Sequence, residues 1–154
     1  MNGYSTAQFG KCHEVPVWQT SPMGPFDAWP TGGGGFEYFY GFLGGETNQY
    51  YPAVYEGTTA IEPAKPPEEG YHFTEDMTDK AIGWVRQQKA LMGDKPFFMD
   101  INFLKMHNPT NPAPDFVGKS RLGNYSDSLM ELDYNIGRIM DAIRAEAPNT
   151  IVIL

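Results

Sequence analysis

The sequence predicts an α/β domain built on a mostly parallel β-sheet with flanking helices. Two observations support this fold class: apolar stretches of strand length alternate with segments of helical periodicity, and polar clusters follow two of the predicted strands. We expect a strand over 1–13, an irregular excursion over 14–73, and helix, strand, helix and strand over 74–154. At 154 residues the chain is one domain or a piece of one.

The first predicted strand runs through Thr6-Ala-Gln-Phe-Gly-Lys-Cys-His13. Phe9 faces inward, and Gly10 lets the backbone pass close to a neighbour. Lys11 and His13 share one face, because residues two apart in an extended chain point to the same side. A lysine and an imidazole at one place suit an anion. On local evidence a strand end with two solvated polar residues is the alternative.

The excursion over 14–73 is dense in glycine, proline and aromatic residues. Disordered segments are poor in aromatic side chains, so we expect an ordered excursion over the surface, with a short strand near Glu37–Phe42. Long ordered loops of this kind often carry substrate selection. Its aromatic residues include Trp18, Phe26, Trp29, Phe36, Tyr38, Phe39, Tyr40 and Phe42.

The chain becomes regular from Thr74, which is the expected N-cap of a helix that stops near Gly93. Residues 96–104 form an apolar run of strand length, which predicts a strand buried on both faces. Apolar residues at helical spacing predict a second helix from about Ser126 to Ala147. Residues 150–154 have the composition of a strand.

A second polar cluster, Lys105 with His107, follows the strand predicted over 96–104. Ligands bind at the carboxyl ends of strands in parallel sheets, so we expect this pair beside Lys11 and His13. Two clusters of lysine with histidine at one sheet edge favour a functional site over coincidence. For Lys105, a solvated lysine at a strand end is an equal alternative.

Three further polar residues are interpreted as structural. His72 precedes the first helix and is expected to have a role at its entrance. Asp100 and Asn102 lie inside an apolar strand and are expected to be hydrogen-bonded core groups.

Composition narrows the class of partner. A net charge of −8 argues against nucleic acid, and no apolar run approaches the length of a membrane span of about 18 residues. A single cysteine, Cys12, excludes a disulfide framework. The first residues lack the pattern of a signal peptide, so the compartment is open and, in a bacterium, cytoplasmic or periplasmic. Nothing indicates an oligomeric state.

These residues resemble the sulfatases, in particular bacterial arylsulfatases of the alkaline phosphatase superfamily. Gly3-Tyr-Ser-Thr-Ala-Gln-Phe-Gly-Lys-Cys-His13 is similar to that family's G-Y-x-T-x-x-x-G-K-x-H signature, and His107-Asn-Pro continues the likeness. The resemblance spans nearly the whole chain. It implies a partial alkaline-phosphatase-like domain and a hydrolase of small sulfate esters.

The resemblance also implies roles for individual residues. The family's nucleophile is a formylglycine, and a divalent metal, usually calcium, polarises the sulfate. Lys11 would bridge the formylglycine and a sulfate oxygen, and His13 would help to eliminate sulfate from the covalent intermediate. His107 would contact the ester near the leaving oxygen and could donate a proton. Lys105 matches no family catalytic position clearly, which leaves it a substrate-binding candidate only.

Parts of the family pattern are missing from residues 1–154. The paired aspartates that bind the metal, the C/S-x-P-x-R block that yields formylglycine and the second, Asp-Asn metal block are absent, and Cys12 lacks the required proline and arginine. We therefore expect an internal segment without metal ligands, inactive alone. The alternatives are a phosphonate or phosphate monoester hydrolase of the same superfamily, and a non-catalytic remnant that binds anions or a partner.

Overall fold

A computed structural model describes residues 3–154. Five strands form one sheet in the order β4-β3-β2-β1-β5, and two long helices pack against it. The strands are β1 (Ser5–Cys12), β2 (Tyr38–Leu43), β3 (Val54–Glu56), β4 (Thr59–Ile61) and β5 (Phe97–Asn102), and the helices are α1 (Phe73–Leu91) and α2 (Asn124–Glu146). No helix in this range is long and apolar enough to cross a membrane.

Strand β1 pairs in parallel with both of its neighbours, β2 and β5. Gly10 pairs with Gly41 of β2 on one side and with Asn102 of β5 on the other. The hairpin of β3 and β4 continues the sheet beyond β2 in antiparallel fashion. This arrangement confirms the predicted α/β fold with a mostly parallel sheet. The hairpin lies inside the stretch that was predicted to be irregular. Its strands have only three residues each, which is too short for an alternating pattern to be recognised in the sequence.

The two faces of the sheet are covered differently. Phe9 of β1 packs on Met77 and Ala81 of α1, and α2 packs on α1 through side chains such as Val85 and Ile143. The other face is covered by part of the excursion over 14–73, in a cluster formed by Cys12, Val15, Trp29 and Phe39.

The excursion is held in place by Trp29, which is fully buried. Its indole N–H donates to the carbonyl oxygen of Gln19 at 2.6 Å, and Phe26 and Tyr55 meet its ring edge-on, with centroids 5.1 Å away. Trp18, by contrast, is 80% exposed. Only some of the aromatic side chains in this stretch therefore anchor it.

Helix α1 begins differently from the prediction, which took Thr74 as the N-cap. The cap position is His72, and Thr74 is a buried residue of the first turn. Gln49, from the loop after β2, accepts hydrogen bonds from the Thr74 hydroxyl at 2.9 Å and from the backbone N–H groups of Phe73 and Thr74 at 2.8 and 3.2 Å. A residue distant in sequence thus caps the helix, which no local pattern could show.

Two strand predictions near the end of the chain need correction. Strand β5 is not buried on both faces: it is the edge of the sheet within residues 3–154, and Phe98 is 56% exposed. Residues 150–154 form no strand, and Ile153 and Leu154 are largely exposed. A strand needs a neighbour to pair its backbone groups, and the described part of the chain offers residues 150–154 none.

Candidate functional site

Lys11, His13 and Lys105 line one pocket, as the topology predicts. The pocket has a volume of about 480 Å³ and lies beyond the carboxyl ends of β1 and β5. Its far wall is provided by Leu132 and Ile136 of α2. The arrangement places two lysines and an imidazole, together with one acidic residue, Glu14, around one space large enough for a small oxyanion.

Gly10 sets the position of Lys11. Its φ of +95° lies in the region that favours glycine, and a Cβ built on it would overlap the carbonyl oxygen of Asn102 and lie 2.7 Å from the sulfur of Met77. Strands β1 and β5 can therefore stay paired up to Gly10, the residue before Lys11, and the side chain of Lys11 lines the pocket just past this pairing.

His13 is bordered by the loop that follows β2. The backbone N–H of Gly44 donates to the carbonyl oxygen of Cys12 at 2.7 Å, which ties this loop to the end of β1. A Cβ on Gly45 would lie 3.1 Å from the imidazole carbon Cε1 of His13. A side chain at position 45 would therefore press against the His13 ring.

His107 is not among the residues that line the pocket. Its side chain is 45% exposed, its Nδ1 lies 2.6 Å from the carbonyl oxygen of Asn108, and the same nitrogen is 3.7 Å from a carboxylate oxygen of Glu46. A carbonyl only accepts, so Nδ1 carries the proton and Nε2 is the nitrogen left for a ligand. Glu46 follows Gly45 directly, so one loop borders both His13 and His107.

Lys105 is buried, with 3% of its side chain exposed, so the alternative of a solvated lysine does not hold. Its ammonium donates to Glu131 of α2 at 2.6 Å and to the carbonyl oxygen of Asn111 at 2.9 Å. Burial lowers the pKa of Lys105, although the Glu131 carboxylate acts in the opposite direction.

Glu131 is the main residue that sequence reasoning missed. It is fully buried on α2, accepts from the backbone N–H of Ala113 at 2.8 Å, and lies 3.0 Å from Nδ1 of His72. Burial raises the pKa of Glu131, but His72 and Lys105 outweigh it and hold the pKa below its usual value. The available signal was its helical spacing of four and eight residues from the buried Asn135 and Ile139.

Cys12 is unsuited to nucleophilic chemistry. It is 3% exposed, its thiol donates to a carboxylate oxygen of Glu14 at 3.3 Å, and burial raises its pKa to about 11. Asp100 is a hydrogen-bonded polar group that accepts from Gln8 at 3.1 Å and from Asn102 at 2.8 Å.

The resemblance implies a divalent metal, and the described residues do not fit one. Within residues 3–154 no three His, Cys, Asp or Glu side chains come together as metal ligands. The buried carboxylate of Glu131 is already occupied by a lysine, a backbone N–H and an imidazole.

Comparison with known proteins agrees with the sequence pattern. The family model described as Sulfatase matches residues 1–154. YdeN of Escherichia coli, described as an uncharacterized sulfatase, is 30% identical over 99% of this chain, and human arylsulfatase H is 33% identical over 49% of it. The chain spans 30% of the length of YdeN and 13% of that of arylsulfatase H.

Solved structures show the same fold. The crystal structure of Ps i-CgsB matches 94% of this chain with a TM-score of 0.72 at 17% sequence identity, and the chain covers 34% of that structure. Together with the family model over all 154 residues, these matches show that the chain belongs to the sulfatase family and forms part of its fold.

Proposed function

We propose that the chain is the part of an arylsulfatase-type sulfuric ester hydrolase that binds the sulfate group of a small ester. The observation that carries the proposal is the convergence of Lys11, His13 and Lys105 on one pocket that contains a single acidic residue, Glu14, in a chain of net charge −8. Positive groups gathered against an adverse overall charge favour an anionic ligand. Membership of the sulfatase family makes sulfate the expected anion.

The chemistry assigned to these residues is electrostatic. The Lys11 ammonium binds a sulfate oxygen, and the His13 imidazole donates a hydrogen bond to the same group. His107, with Nδ1–H committed to the carbonyl oxygen of Asn108, presents Nε2, which in the imidazolium form donates its proton to a leaving oxygen and leaves the ring neutral. This last role requires movement or a large substrate, since His107 lies outside the pocket lining.

Residues 3–154 by themselves are not proposed to hydrolyse a sulfate ester. The thiol of Cys12 is buried and protonated, and the described residues offer no cluster of metal ligands. A formylglycine and a divalent metal would supply the nucleophile and a Lewis acid in a complete site.

Titration with sodium sulfate, followed by amide NMR, tests the binding role. We expect shifts that saturate and centre on Lys11 and His13, and an affinity about tenfold weaker in Lys11→Met, which loses a charge-assisted contact of that order. Lys65→Met is the matched control because Lys65 is exposed and lies in the loop after β4. Equal loss in both variants, or no shifts around the pocket, would contradict the proposal.

The same titration with phosphate separates the substrate classes. At neutral pH sulfate is a dianion, whereas phosphate carries between one and two negative charges. A sulfatase site should bind sulfate more tightly than phosphate, or bind the two anions with similar affinity. Binding of phosphate alone would favour the phosphate monoester alternative over the sulfatase function.

A further inference from the structure

Four residues form a closed buried ring behind the pocket. Glu131 contacts Lys105 at 2.6 Å and His72 at 3.0 Å, and the carbonyl oxygen of Asn111 contacts the same lysine at 2.9 Å and the same histidine at 3.1 Å. The ring joins the start of α1, the loop after β5 and α2. The side chains of His72, Lys105 and Glu131 are at most 3% exposed.

The groups around His72 determine which of its two ring nitrogens carry a proton. Its Nε2 faces the carbonyl oxygen of Asn111, which can only accept, so Nε2 carries a hydrogen. Its Nδ1 faces the Oε1 atom of Glu131, and neither atom has a well-aligned hydrogen bond to any other described residue. Two buried lone pairs 3.0 Å apart would repel, so one proton must lie between them. The close but poorly aligned contact then works as an ion pair.

This proton changes the charge of the ring. With it, His72 and Glu131 together are neutral, and the ammonium of Lys105 leaves the ring with a net charge of +1. Without it, the carboxylate of Glu131 would cancel the charge of Lys105. Glu75, in the first turn of α1, acts on Lys105 only as a more distant negative charge.

We propose that His72 and Glu131 are positioning residues for the anion pocket. By sharing one proton, they let Lys105 act as an uncompensated cation in the pocket wall while Glu131 holds its ammonium in place. The contacts to Asn111 and Ala113 fix the returning arm of the loop that also carries His107. This inference rests on the proposed anion site, but the protonation of His72 can be measured without a ligand.

Nitrogen-15 NMR of the imidazole rings at neutral pH tests the protonation directly. His72 can be identified by nuclear Overhauser contacts to Tyr50, whose ring centroid lies 5.1 Å from its own. We expect both ring nitrogens of His72 to show the protonated signature, or one of them the averaged signature of a shared proton. A nitrogen-15 chemical shift typical of an unprotonated ring nitrogen at Nδ1 would overturn the inference, whether or not sulfate binds.

Sulfate titration of His72→Gln tests the electrostatic consequence. The variant retains a donor for Asn111 but removes one positive charge. We expect an affinity weaker by at least about tenfold, because a unit charge roughly 10 Å from a dianion contributes more than this at an effective dielectric near 20. Arg144→Gln, which removes an exposed charge on α2, is the control and should bind as the parent does. Unchanged affinity in a folded His72→Gln would overturn the electrostatic role. Absence of sulfate binding by the parent would instead contradict the proposed function. If His72→Gln does not fold, the ring-nitrogen signature in the parent decides the inference.

Discussion

Gly10 of β1 and Asn102 of β5 are paired so closely that a methyl group on Gly10 would overlap the carbonyl oxygen of Asn102. The same methyl group would press on the sulfur of Met77 in α1. Because Lys11 follows directly, the close approach of the two strands and the placement of the first pocket lysine depend on one missing side chain.

Gly10→Ala should therefore lower the stability of the fold by well over 1 kcal/mol, since a strained φ adds to backbone overlap. Gly83→Ala is the matched control, because Gly83 lies in α1 with nothing within 4 Å of its added Cβ. That change should stabilise the protein by about 0.5–1 kcal/mol. Urea unfolding measures both, and a neutral Gly10→Ala would contradict the packing described.

Lys105→Met should destabilise the protein by about 1–3 kcal/mol, because it removes the charge-assisted hydrogen bond to the buried carboxylate of Glu131, which then keeps only His72 as its counter-charge. Chemical denaturation of the variant measures the change. Arg144→Gln breaks a pair with Asp141 in which both side chains are more than two-thirds exposed, and should change stability by less than about 0.5 kcal/mol. Similar losses in the two variants would show that burial does not govern the Lys105 pair.

In the whole enzyme, His107→Ala should reduce turnover most for sulfate esters with poor leaving groups. Nδ1–H of His107 is committed to Asn108, so the proton that reaches the departing oxygen is the one on Nε2 of the imidazolium form. Rate constants for a series of aryl sulfates of rising leaving-group pKa measure the effect. An equal loss across the series would reject the role of proton donor.

Asp127 should make a contribution to the free energy of unfolding that is lost at acid pH. Its carboxylate accepts from the backbone N–H groups of Ser120 at 2.8 Å and Gly118 at 2.7 Å. Hydrogen bonding from the Ser120 side chain, followed by these two backbone bonds, lowers the pKa of Asp127. A group whose folded pKa is lowered stabilises the fold above its unfolded pKa, about 3.9, and loses this effect as the pH falls through the folded value.

Asp127→Asn should therefore melt at a lower temperature than the parent at pH 7. The difference between the two proteins should shrink as the pH falls below about 4, because the parent then also carries a neutral group. Thermal unfolding between pH 7 and pH 2.5 measures it. A difference in melting temperature that is constant with pH would mean that the ionised form of Asp127 contributes nothing.

Much of the framework could be predicted from local patterns. The period of two in β1 places Lys11 and His13 on one side, and the parallel order of β1 and β5 brings Lys105 to the same pocket. The helical period predicts a second helix close to the observed α2. These features follow from the chirality and hydrogen bonding of the backbone, which act over a few residues.

The remaining features depend on residues far apart in the chain. Lys105 becomes a buried ion because Glu131, 26 positions later, meets it from another helix, and α1 is capped by Gln49 from a distant loop. His107, although two residues from Lys105, lies outside the pocket lining because the loop turns between them. The sequence by itself determined the fold class and which residues reach the sheet edge, since short-range periodicity encodes both. Only the tertiary structure decided which of those residues are paired, buried or free, because that depends on long-range contacts that leave no local pattern.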